Sequence, residues 1–149
     1  MKKVLVTAIA ICCVIMGCAV LKKNPTAQPV DRSSADSLDG AWKLNYISGP
    51  VAFEILYPEK KPFIHFDMKK TVVNGHTGCN SFFGNLAAVD GHKISFPQSM
   101  GMTKMLCPGQ GEQVFMSTLR KADRFEISND RQSMTLYGGQ VALMRFSPK

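Results

Sequence analysis

Residues 82–96 read Phe82-Phe83-Gly84-Asn85-Leu86-Ala87-Ala88-Val89-Asp90-Gly91-His92-Lys93-Ile94-Ser95-Phe96. Phe82 to Val89 reads as an extended run. Asp90-Gly91 is a tight-turn dipeptide, and Lys93 to Phe96 alternates polar and apolar side chains on the way back. Extended run, turn and returning run together form a β-hairpin signature. That signature makes the surrounding chain an antiparallel β pattern, which the flanking segments extend in both directions.

Upstream, Thr71-Val72-Val73 runs into Asn74-Gly75, a second tight-turn dipeptide. Ile64, Phe66 and Met68 alternate with His65 and Asp67. Val51 to Leu56 is a further strand candidate. Trp42, Leu44 and Tyr46 alternate with Lys43 and Asn45, the period of a half-buried strand. Downstream, Arg124 to Ser128, Met134 to Tyr137 and Val141 to Phe146 read as three more strands. Asn129-Asp130 and Gly138-Gly139 supply the turns between them.

One segment has a different period. Gly111 to Ala122 places Val114, Phe115, Leu119 and Ala122 at helical spacing, with Glu112, Gln113, Arg120 and Lys121 on the other side. This is an amphipathic helix of about three turns. The fold class is therefore mainly β (α+β): a small antiparallel barrel-like sheet with one amphipathic helix covering an open end or edge.

The chain is 149 residues long, and its amino terminus has a separate purpose. Lys2-Lys3 precede an uncharged apolar run from Val4 to Gly17, which ends at Cys18. A basic start, an apolar core of about 7–15 residues and a small residue at the cleavage site make a signal peptide, and the cysteine makes it a lipoprotein signal. An uncleaved anchor is the alternative, since a membrane-spanning helix needs about 20 apolar residues. Residues 1–17 are expected to be removed and Cys18 lipidated. Residues 18–37, polar and carrying Pro25 and Pro29, form a flexible tether, and residues 38–149 form the domain. The expected location is outside the cytoplasm, lipid-anchored to the envelope, with the outer membrane of a Gram-negative bacterium favoured by Ala19.

Removing residues 1–17 takes two of the 18 basic side chains and leaves 16 against 11 acidic ones. The excess is spread out, with basic pairs at Lys22-Lys23 and Lys60-Lys61. Nucleic-acid binding needs a clustered basic patch, so it is set aside. Of five cysteines, Cys12 and Cys13 leave with the signal and Cys18 takes lipid. Cys79 and Cys107 remain, two thiols in an oxidising compartment, which suggests a disulfide.

The middle of the domain carries a family resemblance. Gly78-Cys79-Asn80 is followed by an aromatic residue at Phe82 or Phe83 and by Gly84. After the hairpin come Met102-Thr103-Lys104-Met105-Leu106-Cys107, then Glu112 with Phe115 and Leu119. Upstream, Gly40-Ala41-Trp42-Lys43-Leu44 matches an opening G-x-W-x-L strand. This ordered set resembles the META domain, the family of HslJ-like bacterial lipoproteins, over about residues 38–147. The resemblance implies a small β-rich domain with one helix, Met105 and Cys107 as residues of the fold, and envelope proteins linked to stress tolerance. It implies no enzymatic activity.

Candidate sites follow from residue chemistry. Asn80, Ser81, Phe82 and Phe83 could form a binding loop, although glycines at 78 and 84 and a staple at Cys79 also explain that loop structurally. Met100, Met102 and Met105, with Cys107 and His76, are weak candidates for a soft metal such as copper. Methionine is also a common core filler, and bonded cysteines offer no thiolate. No catalytic residue is assigned, because His65, His76 and His92 are scattered and lack a nucleophile motif. No cofactor is expected. The leading function is a non-catalytic envelope lipoprotein that supports stress tolerance or envelope integrity through binding or assembly. Its partners are the membrane, through the lipid, and an envelope protein or small ligand. A carrier of copper or of a small hydrophobic ligand, and an unrecognised hydrolase, are the alternatives.

Overall fold

The structure is a computed structural model that describes residues 35–149. The signal segment with Cys12 and Cys13, the lipidation residue Cys18 and most of the tether lie outside the described residues.

Ten strands form one antiparallel sheet. They are β1 (Gly40–Ile47), β2 (Phe63–Asp67), β3 (Val72–His76), β4 (Ser81–Asn85), β5 (Ala88–Asp90), β6 (Lys93–Ser95), β7 (Gly101–Met102), β8 (Arg124–Ile127), β9 (Met134–Gly138) and β10 (Val141–Pro148). The spatial order is β5-β6-β8-β9-β10-β1-β2-β3-β4-β7. The short helix α1 (Phe53–Leu56) follows β1, and α2 (Gly111–Leu119) follows β7.

Connectivity makes the sheet curl. β4 and β5 are joined by Leu86 and Ala87 alone, yet they stand near opposite ends of the strand order. Laid flat, their eight inter-strand spacings would cover roughly 38 Å. A two-residue link reaches no more than about 11 Å. Backbone bonds hold the bend, from Leu86 N to Thr71 O and from Ala87 N to Ser95 O (2.9 Å each). The result is a curled half-barrel, in agreement with the mainly-β reading. The single extended run expected from Phe82 to Val89 is corrected, because it breaks at this bend into β4 and β5.

The concavity is filled by side chains. Phe66, Phe82, Phe115, Phe125 and Phe146 are all buried, with Leu44, Ile64, Leu119, Met134 and Leu136 among them. Helix α2 contributes Phe115, Met116 and Leu119, and Phe115 meets Phe82 at 5.6 Å between ring centroids. The α-helix ends at Leu119, and the next turn closes through Lys121 N to Thr118 O and Ala122 N to Leu119 O (3.1 Å each). Ala122 is still buried. Trp42 is core as well, and its indole Nε1–H donates to Leu38 O at 2.9 Å.

Three further expectations are corrected. Tyr46 was expected on the buried face with Trp42 and Leu44, but a β-bulge between Leu44 and Tyr46 turns Tyr46 outward and Ile47 inward. One extra residue in a strand reverses the facing of every residue beyond it. Val51 to Leu56 is not a strand. Phe53 and Tyr57 lie four apart and share one helix face at 5.2 Å, leaving Ile55 outside. Asn74-Gly75 is not a turn either. Both residues lie inside β3, and Gly75 pairs with Ile64 on one side and Phe82 on the other. A Cβ at position 75 would stand 2.2 Å from Phe63 O and 2.8 Å from the Phe82 ring, so glycine is needed there for close approach. The real turn joins Asp67 to Val72, where Asp67 Oδ1 accepts from Lys70 N at 3.1 Å. Met68 sits in that turn and packs on the core from outside the strand.

Candidate functional site

Three loops meet at one end of the half-barrel and enclose a cleft of about 500 Å³. The first runs from α1 through residues 55–60, the second is the β3–β4 connection, and the third covers residues 105–112 ahead of α2. Cys79 and Cys107 join the second and third through a disulfide with a Cα–Cα distance of 5.8 Å. Tyr57 joins the first and third, its hydroxyl donating to Gly111 O at 2.9 Å. Burial pushes the Tyr57 phenol well above its ordinary value, so it remains a donor.

The β3–β4 connection is built around Thr77, which is fully buried. Its Oγ1 accepts from Asn80 N at 3.0 Å and Cys79 N at 3.3 Å. Its single proton has two acceptors in reach, Glu112 Oε2 at 3.0 Å and Asn80 O at 3.1 Å. Gly78 makes the tight return possible at φ 98°, with Lys60 O and the Tyr57 ring too close to admit a side chain.

Asn80 then ties this connection to the third loop. Its Nδ2 donates to Met105 O at 3.1 Å and lies 3.0 Å from Cys107 Sγ. Its Oδ1 accepts from Met105 N and Thr103 Oγ1 (2.8 Å each). The walls of the cleft are thereby pinned by a covalent bond and a buried polar network, and its rim carries exposed apolar side chains beside the charged Glu59 and Lys60. Leu106 is 99% exposed, Ile55 72% and Met105 62%.

The four binding-loop candidates separate. Asn80 is 2% exposed with its hydrogen-bonding capacity used internally, and Phe82 is 1% exposed in the core. Neither has a free face for a ligand. Ser81 and Phe83 point outward from β4, where Phe83 covers Gly101.

The methionines separate too. Met100 and Met102 pack against the core, and Met105 lines the cleft. Cys79, Cys107 and Glu112 bring their sulfur and oxygen atoms within 4.8 Å of one another. Both sulfurs are spent in the disulfide and offer no thiolate, so the contact between Cys107 Sγ and Glu112 Oε2 at 3.5 Å is not a hydrogen bond. His65 Nδ1 lies 3.3 Å from Asn74 Nδ2, and His92 Nδ1 lies 3.3 Å from Phe125 O.

A family model for the META domain matches residues 35–149. The chain belongs to the META domain family. Among solved structures, this META domain is similar to a protein from Burkholderia xenovorans determined by NMR, with 21% identity, 85% of this chain and 97% of that one covered, and a TM-score of 0.59. A second NMR structure matches at 17% identity, covering 74% of this chain and 90% of the other, with a TM-score of 0.51. A DUF4847 family protein from Bacteroides vulgatus, a crystal structure, matches at 13% identity, 75% and 94% coverage and a TM-score of 0.50. These likenesses show a shared fold. No curated protein matches the chain.

The residues of this META domain that sequence reasoning missed are Ile55, Tyr57 and Leu106 in the cleft. Reading Val51 to Leu56 as a strand hid the first wall. The four-residue spacing of Phe53 and Tyr57 was the available signal.

Proposed function

We propose that this META domain is the non-catalytic binding module of an exported envelope lipoprotein, and that it supports stress tolerance or envelope integrity by holding an apolar segment of a partner in the cleft. One observation carries the reading: Ile55, Met105 and Leu106 stand exposed on the rim of a cleft whose walls are locked together. Exposed apolar side chains around a pre-formed concavity are what a binding site requires. The disulfide supports export, because such bonds persist in oxidising compartments. Lys2-Lys3, the apolar run and Gly17-Cys18 support lipidation, and Ala19 supports an outer-membrane address. The filled concavity of the half-barrel favours a ligand at the cleft over one inside the sheet.

The test is photo-crosslinking in intact cells, with the reactive residue placed at Leu106 and, as control, at exposed Val141 on β10. A partner captured from position 106 and absent from position 141 is expected. The same capture pattern from both positions would overturn the reading. Loss of the capture in Cys18→Ala would tie it to the lipid anchor.

A further inference from the structure

His76, at the end of β3, stands where the cleft meets a second depression. Its Nδ1 lies 3.0 Å from the Gly78 backbone nitrogen. A backbone N–H only donates, so Nδ1 is bare and the neutral ring carries its proton on Nε2. Yet Nε2 lies 3.0 Å from Lys60 Nζ. An ammonium has three donors and no acceptor. Two donors therefore face each other at hydrogen-bonding distance, and the ring cannot accept from both neighbours. The amide of Gly78 is fixed by the loop while the lysine is not, so the mismatch falls on Lys60.

The surroundings sharpen it. Lys43, Lys61 and Lys149 line the depression together with Lys60 and Phe63, and Glu59 is the one carboxylate side chain among its described lining residues. The depression holds about 370 Å³. Lys149 Nζ sits 3.6 Å above the Phe63 ring, and Phe63 stacks on His76 with 11° between the ring planes. Burial first, then the charges of Lys60 and Lys149, hold His76 below its ordinary value, with Glu112 opposing them. The ring therefore keeps a neutral N–H donor aimed into a field of ammonium groups.

We infer that Lys60 Nζ and the Nε2–H of His76 jointly bind a phosphoryl oxyanion, with Lys43, Lys61 and Lys149 supplying the remaining positive charge. An oxygen placed beside the pair accepts from both donors and removes the mismatch. Four ammonium groups against the carboxylates of Glu59 and, on the cleft side, Glu112 leave an excess of positive charge that suits a multiply charged tetrahedral anion. The described cations lining the depression are all lysines, compact point charges that can gather around one anion without a fixed fork geometry. Lys60 and His76 also line the cleft, but the anion is held by ammonium and imidazole donors and not by Ile55, Met105 or Leu106, so this inference and the binding of an apolar segment fail independently.

The experiment follows the imidazole signals of His65, His76 and His92 by NMR during titration with inorganic phosphate, with chloride at matched ionic strength as control. In parallel, vesicles of phosphatidylglycerol with phosphatidylcholine are compared with phosphatidylcholine alone. Phosphate is expected to raise the His76 pKa by about one unit while leaving the other two histidines in place. Lys60→Gln/Lys61→Gln, at exposed positions, is expected to weaken phosphate binding at least about tenfold with thermal stability unchanged. Binding to phosphatidylglycerol vesicles without a response to free phosphate would identify the source as a lipid headgroup, and the reverse would identify a soluble phosphate. An unmoved His76 in both arms, an equal shift with chloride, or wild-type affinity in the double variant would overturn the inference.

Discussion

The side-chain amide of Asn80 pairs with the backbone of Met105 as one strand pairs with another, accepting from its N–H at 2.8 Å and donating to its carbonyl at 3.1 Å. The orientation of the amide is decided by this pairing, since a flipped group would set donor against donor and acceptor against acceptor. Two loops 25 residues apart are joined without a strand in either.

Asn80→Asp is the most discriminating probe of that joint. It preserves shape and the Oδ1 acceptor, but it sets an oxygen against Met105 O and Cys107 Sγ. A loss of about 2–4 kcal/mol is expected in urea unfolding, because buried groups are left facing like groups. Stability within about 0.5 kcal/mol of the parent would mean that the pairing contributes little.

Reduction probes the covalent tie beside it. The Cys79–Cys107 loop spans 28 residues, and on chain-entropy grounds opening it costs about 3.5 kcal/mol. Cys79→Ser/Cys107→Ser, and the parent in reductant, should share a lowered urea midpoint. Equal midpoints with and without reductant would sink the prediction.

Gly75 and Gly91 make a contrasting pair. At Gly75 an added methyl meets Phe63 O at 2.2 Å, and that obstacle is backbone flanked by strands on both sides. Gly75→Ala should cost about 3 kcal/mol or prevent folding. Gly91, at φ 56° in the β5–β6 turn, has nothing within 4 Å of the added methyl. There the cost is the left-handed backbone alone, about 1–2 kcal/mol. Equal losses at both sites, measured by thermal denaturation, would contradict the steric account.

His76 gives stability a pH dependence of known sign. Its folded-state value lies below the ordinary 6.5, so the unfolded chain binds more protons as pH falls through that value. The stability it contributes is complete above about pH 6.5 and is lost on acidification toward the folded-state value. Thermal midpoints should therefore fall between about pH 7 and 5, with a shallower slope in His76→Gln. An unchanged slope in the variant would assign the acid sensitivity elsewhere.

Much of the sheet was legible because alternation and turn chemistry agree along most of it. The chain does turn beside the expected dipeptides, at Gly91-His92 and Gly139-Gln140, one residue later because Asp90 and Gly138 still pair in their strands, and Phe115, Leu119 and Ala122 do face the core. The errors fall where a long-range contact overrides a local signal. Gly75 reads as a turn residue because nothing nearby in sequence announces the Phe82 ring above it. Tyr46 reads as buried because one extra residue in β1 leaves no mark on composition. The cleft was the least legible part, since its walls come from three separated loops. Lys60 and His76, 16 residues apart, come together only once β2 pairs with β3 and sets Phe63 opposite His76. The cysteine pair was legible because it is a matter of chemistry and compartment more than of geometry.

The sheet ends on strands of three and two residues, β5 and β7. An incoming chain that sought to add itself as another strand would find only a handful of open amides on either border. Copies held side by side at high density would likewise have no long ribbon through which to polymerise. Short borders of this kind leave side chains, and not an open strand edge, as the surface offered to other molecules, and exposed side chains can change without disturbing the frame that carries them.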